Sequence, residues 1–398
     1  MSSPALVRPR PAHRAADLLA AYLPGSFYCS SPRGSLLADG VHAFVRSRDG
    51  SHARAAAEAL DAAAVAGVEE PVVVGAVGFR PGSASSLVVP AVVRRAGAPA
   101  AGGARPADAR TRWSVTPRPE PAAYADGVRR ALALIGSGRL DKVVLARCLE
   151  LTADRPVAVP SLLTRLVHAD PATHAFAVDV TAPGDPATRT LVGASPELLV
   201  ARRGAEVLAN PLAGSAPRSG DPAEDRRRAA ALLASAKDRG EHAHVVAQVG
   251  EVLARYCAGL HVPAEPEVIG TPTMWHLSSR ITGRLADPAD PASSALGLAE
   301  ALHPTPAVCG VPTALARDTI ADLEPEDRGY YAGLAGWTGL DGDGEWIIAL
   351  RGAEVCDRTV RLHAGAGVVA GSDPAGELAE TTAKFATMLR ALGLEGAA

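Results

Sequence analysis

Apolar residues fall into two spacings along this chain, and the switches between them mark out its elements. Alternation over SFYCSSPRGSLLADG predicts two short strands joined by a turn, and VVVGAVGF and SSLVVPAVVRR predict further strands. HARAAAEALDAAAVAG reads as a helix between them. From Tyr124 the pattern sharpens: Tyr124, Val128, Leu132 and Ile135 share one helical face, which Gly136-Ser137-Gly138 ends. Strands are predicted at DKVVLARCLEL, THAFAVDVT, RTLVGASPELLVAR and AEVLANPLA, and helices over 224–233 and 241–256. The second of these helices turns Val245, Val249, Val252 and Tyr256 inward. WIIALRGAEVC and TVRLHAGAGVV predict a strand pair, and a helix over 374–392 closes the chain, with Asp373 as N-cap and Pro374 at the first helical position. The Gly- and Pro-rich stretch 97–112 is the best candidate linker. Strand runs with interspersed helices, and no GxGxxG or GxxxxGK, predict an α+β protein without a nucleotide loop.

Composition narrows the function classes. The 398 residues are 47% hydrophobic, ample for a large core, and 40 basic against 43 acidic residues leave no basic arm for nucleic acid. No apolar run is long enough to span a membrane, and MSSPALVRPRPAHRAADLL lacks the apolar stretch of a signal peptide. Cysteines 29, 148, 257, 309 and 356 are scattered and never form CxxC, which predicts free thiols, mostly in the core, in a reducing compartment. A cytoplasmic location is the expectation.

Candidate chemistry concentrates in two helical segments. In KDRGEHAH (237–244), His242 and His244 are two apart and diverge on a helix, which argues against the HExxH zinc arrangement. Asp238 and Glu241 are three apart and share a face. That pair suits a hard cation such as Mg²⁺, or equally a solvated helix start favoured by the helix dipole. In the closing helix, Glu377, Glu380 and Lys384 form one stripe beside the apolar stripe Leu378, Phe385, Met388 and Leu392. Charges bordering a buried face either snorkel or line a pocket. Upstream, Gly365 and Gly367 flank Ala366 in LHAGAGVV, where backbone N–H groups could approach an anion, or the glycines could serve a turn.

KVVLAR, GASPELLV, NPLAGSAPR, KDRGEH, TPTMWHL, HPTPAVCG, RGAEV and LHAGAGVV…GELAETTAK occur in this order. Together they resemble the chorismate-utilising enzymes (anthranilate, aminodeoxychorismate, salicylate and isochorismate synthases), and most resemble the isochorismate synthases of siderophore and menaquinone pathways. The strong match spans about residues 120–395, with a looser one over SFYCSSPRG. The resemblance implies a large antiparallel β-sandwich core wrapped by helices. Within it, residues 1–112 form a weakly matched N-terminal part of the same domain and residues 113–398 the chorismate-binding catalytic region.

Carried over residue by residue, the resemblance implies that Lys142 activates the nucleophile at ring C2 and that Glu197 protonates the departing C4 hydroxyl. Near neutral pH, an ordinary lysine is about 10⁻³ neutral and an ordinary glutamate about 10⁻³ protonated, so both groups need desolvation and neither may pair with the other. The resemblance further implies Mg²⁺ held directly by Glu241 and Glu380, and through water by Asp238 and Glu377. Arg351, Lys384 and Tyr331 would receive the enolpyruvyl carboxylate, Gly214 and Ser215 would supply backbone donors, and His276 would stand in the active site. Members that eliminate pyruvate resemble one another in carrying Thr where this chain has Ala307, followed here by Val308. The implied reaction is the near-balanced conversion of chorismate to isochorismate, drawn forward by a downstream enzyme, in a protein expected to be monomeric. A salicylate synthase or ammonia-using enzyme is the alternative within the family, and a non-catalytic chorismate-binding protein the alternative outside it.

Overall fold

The computed structural model describes residues 13–47, 50–83, 85–102 and 111–394. Among these the strands form a ten-stranded, a nine-stranded and a three-stranded sheet, paired antiparallel. The two large sheets face each other. Phe27, Phe176, Val178 and Leu191 of the first pack against Val72, Val74, Leu198 and Ile347 of the second. Helices cover the outer faces, so strands such as Val72–Val77 are buried on both sides and read as continuous apolar runs. The closing helix Pro374–Ala391 presses Phe385, Met388 and Leu389 onto the ten-stranded sheet, each fully buried side chain contributing about 2 kcal/mol. Asp373 caps this helix, accepting the Gly376 N–H at 2.8 Å. Strands from before residue 112 join both large sheets: Phe27–Ser31, Gly34–Asp39 and Val92–Ala96 enter the first, Val72–Val77 and Ser85–Val89 the second. Of the candidate linker, residues 103–110 lie outside the described residues.

The longest shared ladder carries the site. Lys142–Ala153 pairs with Thr359–Val369, from Thr359 opposite Thr152 to Val369 opposite Lys142. Three strands expected to be continuous are each broken. RTLVGASPELLVAR divides into Arg189–Ser195 in the ten-stranded sheet and Leu198–Arg203 in the nine-stranded one. AEVLANPLA divides at Pro211 into Glu206–Asn210 and Leu212–Pro217, the latter in the three-stranded sheet. WIIALRGAEVC divides around Arg351 into Gly344–Ile348 and Gly352–Cys356. In the first and third runs both halves are largely buried, so the apolar pattern continues while the chain changes sheet.

The helix expected from residue 241 begins at Ala236, under a Ser235 cap that accepts the Asp238 N–H at 3.2 Å. It ends at Leu253, leaving Tyr256 beyond it and only partly buried. Cys148, Cys309 and Cys356 are buried, Cys29 and Cys257 partly so, and all five are free thiols. Among the described residues no helix is long and apolar enough to cross a membrane.

Candidate active site

Pro196-Glu197 and Arg351, at two of the three strand breaks, line one cavity of about 50 Å³, and Leu212, beside the third, lines it too. The breaks that hold Glu197 and Arg351 are also bonded to each other. Ser195 Oγ donates to the Ile348 carbonyl at 2.7 Å and accepts the Glu197 N–H at 3.2 Å, and the Ile348 N–H donates to the Glu197 carbonyl at 3.3 Å. Arg351 has φ of +49°, a left-handed conformation that costs a non-glycine residue about 1–2 kcal/mol. Its carbonyl is gripped by the Ala194 N–H at 3.2 Å, directly beside Gly193, where an added Cβ would stand 2.9 Å from that oxygen.

Glu197 is 3% exposed. Burial pushes its carboxyl up to about 7, against partial offsets from a Leu212 N–H bond and the charges of Lys142, Arg351 and Lys384. Lys142 is fully buried and lies 2.9 Å from Glu241 Oε1, an ion pair without hydrogen-bond alignment. It therefore pairs with Glu241, not with Glu197. Gly367 makes room for this contact, since a Cβ there would fall 2.2 Å from Glu241 Oε1 and 3.2 Å from Lys142 Cε.

The opposite wall comes from the closing helix and the three-stranded sheet. Lys384 Nζ lies 2.5 Å from Glu380 Oε1 and donates to the Gly365 carbonyl at 2.8 Å. Ser215 Oγ donates to Glu380 Oε1 at 2.9 Å. Burial works to raise Glu380, but the Lys384 ammonium and the Ser215 hydroxyl outweigh it and hold the carboxyl below its usual range. Gly214 sits in a bulge, with φ of +76° and Asp238 Cβ only 3.0 Å from where its own Cβ would be, a place only glycine fits. His276 lines the cavity with Nε2 buried and unpartnered. Burial first, then Arg351 and Lys384, push it well below its ordinary value, so it is neutral at pH 7.

Tyr331 stacks on His363 at 5.2 Å and is pushed up to about 12 by burial. Gly365 lines the cavity and gives its carbonyl to Lys384. Ala307 and Val308 also line the cavity. Ala366 does not, because strand alternation turns it to the far face, where it is fully buried.

Asp238 and Glu377 lie just behind the cavity lining. Glu377 is ion-paired with Lys237 at 3.1 Å, while its Oε2 is buried and unpartnered. Burial, then the neighbouring Glu380, push its carboxyl up. Burial also raises Asp238, with Glu241 and Glu380 adding to the shift. Four carboxylates on two helices therefore crowd one another, with Lys142, Lys237 and Lys384 each matched to one of them. Hard oxygens on this scale fit a divalent cation, and the spare Oε2 of Glu377 is a free donor. Among the described residues no three such side chains converge on a single metal position. His242 is buried, 2.8 Å from Ser279 Oγ, and lowered to about 4 by burial, whereas His244 faces solvent.

Sequence reasoning missed Arg328 and Glu324, a buried pair at the cavity edge. The two stand four apart in EPEDRGYY, but in a charged stretch with a proline that spacing reads as an ordinary solvated ion pair.

This arrangement is that of a chorismate-binding enzyme: the family model so described matches residues 98–393, and the chain belongs to that family. Within it, the chain is 49% identical over 389 residues to the isochorismate synthase DhbC of Bacillus subtilis, covering 96% of this chain and 97% of that one. It is 46% identical to a putative isochorismate synthase MenF of Mycobacterium tuberculosis, over 93% of this chain and 96% of that protein. The crystal structure of a putative 2,3-dihydroxybenzoate-specific isochorismate synthase, DhbC from Bacillus anthracis, superposes with a TM-score of 0.90 at 43% identity, covering 96% of this chain and 100% of that one.

Proposed function

We propose that the protein is an isochorismate synthase, an isomerase that adds water at C2 of chorismate and releases the C4 hydroxyl. The observation that carries this is Glu197, whose carboxyl titrates at about 7 in a cavity it shares with cationic groups but without an ion pair to Lys142. At neutral pH about half of such groups hold the proton the leaving hydroxyl needs, against about 10⁻³ for an ordinary glutamate. Lys142, fully buried at the start of its strand and paired with the cavity-lining Glu241, is the group that activates water. Arg351 and Lys384 receive the enolpyruvyl carboxylate, the first as a planar fork and the second as a point charge, beside Tyr331. Ala307 offers the ring no hydroxyl, which supports a reaction that stops at water addition.

Glu241 and Glu380, backed by Asp238 and Glu377, are the residues that would hold Mg²⁺. The ion would supply Lewis-acid stabilisation of charge at the ring carboxylate. Its carboxylate ligands are here turned to Lys142, Lys384 and Lys237, so the metal competes with ammonium groups for them. The product suits a cytoplasmic enzyme consuming isochorismate for a siderophore, menaquinone or another metabolite. Purified protein incubated with chorismate, with and without Mg²⁺, and resolved by liquid chromatography tests the reading. A chorismate–isochorismate mixture that EDTA abolishes is expected. Salicylate with pyruvate, or binding without any product, would overturn it.

A further inference from the structure

Arg328 is 1% exposed, and all of its hydrogen bonds go inward. Nη1 donates to the Val308 carbonyl at 2.7 Å, Nη2 to the Val144 carbonyl at 2.8 Å, and Nε to Glu324 Oε2 at 2.8 Å. Glu324 Oε1, 2.5 Å from Nη2, accepts the Ala146 N–H at 2.8 Å. The guanidinium lies over the Phe79 ring, 4.4 Å from its centroid. The pair thus makes two links to the strand that begins at Lys142 and one to the loop bearing Ala307 and Val308. The loop's other end is held separately, by the Val144 N–H on the Cys309 carbonyl at 2.7 Å and the pairing of Gly310–Val311 with Val143 and Lys142.

We propose that Arg328, held by Glu324, is a positioning residue that sets the distance between the Ala307–Val308 edge and the Lys142 strand, and so decides whether the reaction stops at water addition. The inference rests on the isochorismate synthase reading. Isochorismate can go on by breaking the C–O bond to the enolpyruvyl group while the ring C2 hydrogen moves to the enolpyruvyl methylene. That step gives pyruvate and an aromatic hydroxy acid with no oxidant or co-reactant. It needs the side chain folded over the ring, and on this inference the loop held at Val308, which lines the cavity, excludes that conformation. A lysine cannot reproduce a planar fork reaching two carbonyls and a carboxylate.

The test measures products per turnover, isochorismate against salicylate plus pyruvate, for Arg328→Lys and Glu324→Gln. Leu60→Ala, a cavity in the same core far from the pair, serves as a control of matched thermal stability. Both pair variants are expected to show about tenfold lower kcat, KM within about threefold, and a salicylate fraction at least tenfold above wild type. The control should keep the wild-type ratio, because partition does not depend on the fraction of folded enzyme. An unchanged ratio in folded Arg328→Lys overturns the inference while leaving the activity reading intact, and if that variant does not fold, Glu324→Gln decides. Wild-type protein that makes no isochorismate defeats the activity reading itself.

Discussion

Replacing Glu197 by glutamine keeps the size and neutrality of the protonated acid but removes its proton, and its consequences separate by pH. In the folded chain the carboxyl titrates at about 7, against 4.5 in the unfolded chain. The difference corresponds to about 3 kcal/mol. Between those two pH values folding takes up a proton, so wild-type stability falls as pH rises through the window and levels off above about 7, where the buried site must hold a charge. The glutamine variant lacks this loss. Its stability relative to wild type should therefore climb from near zero at pH 4.5 to about 3 kcal/mol in its favour at pH 8.5, measured by denaturant titration at a series of pH values. All other titrating groups are common to both proteins and largely cancel. Activity runs the opposite way. Wild-type kcat/KM should fall about tenfold per pH unit above 7 as the acid loses its proton, while the variant turns over about 10²–10⁴-fold more slowly with that limb gone. Parallel stability curves, or a wild-type kcat/KM flat from pH 6 to 8.5, would refute both the titration and the role.

Lys142→Ala should abolish water addition while leaving chorismate binding within a few-fold, as read by calorimetry; ordinary turnover in that variant would remove the base role. Gly367→Ala places a methyl group where Glu241 Oε1 now lies, so Glu241 must swing away from Lys142. The expected result is a loss of about 1–3 kcal/mol in stability and a raised Mg²⁺ requirement, and a variant with wild-type magnesium titration would show that this contact does not shape the proposed Mg²⁺ site.

How much of this was legible in the sequence differs by residue. The helical stripe Glu377, Glu380 and Lys384 and the N-terminal pair Asp238 and Glu241 could be placed from spacing, because helix geometry fixes which side chains share a face. The structure nevertheless sets Asp238 and Glu377 behind the cavity lining. Glu197 and Arg351 stood in segments that read as continuous strands, and their position at breaks was hidden because each strand is buried on both sides of the break. Pro196 and Pro211 were the available signals, since proline cannot donate to a ladder. The broken run at Arg351 carried none. Arg328 and Glu324 were invisible for another reason: they stand four apart in a charged stretch, and their burial comes from bonds to Val144, Ala146 and Val308, which no local spacing reveals.

The bonds that tie Ser195, Glu197 and Ile348 together have a mechanical meaning. They rivet the two large sheets to each other at the point where Glu197 and Arg351 emerge. Any sliding of one sheet over the other would carry both groups sideways relative to Lys142, which belongs to a single sheet. The spacing of Glu197, Arg351 and Lys142 is thus set by the whole interlayer packing, and loosening Phe176, Leu191 or Ile347 deep in the sandwich would shift these side chains relative to one another well before the chain unfolds.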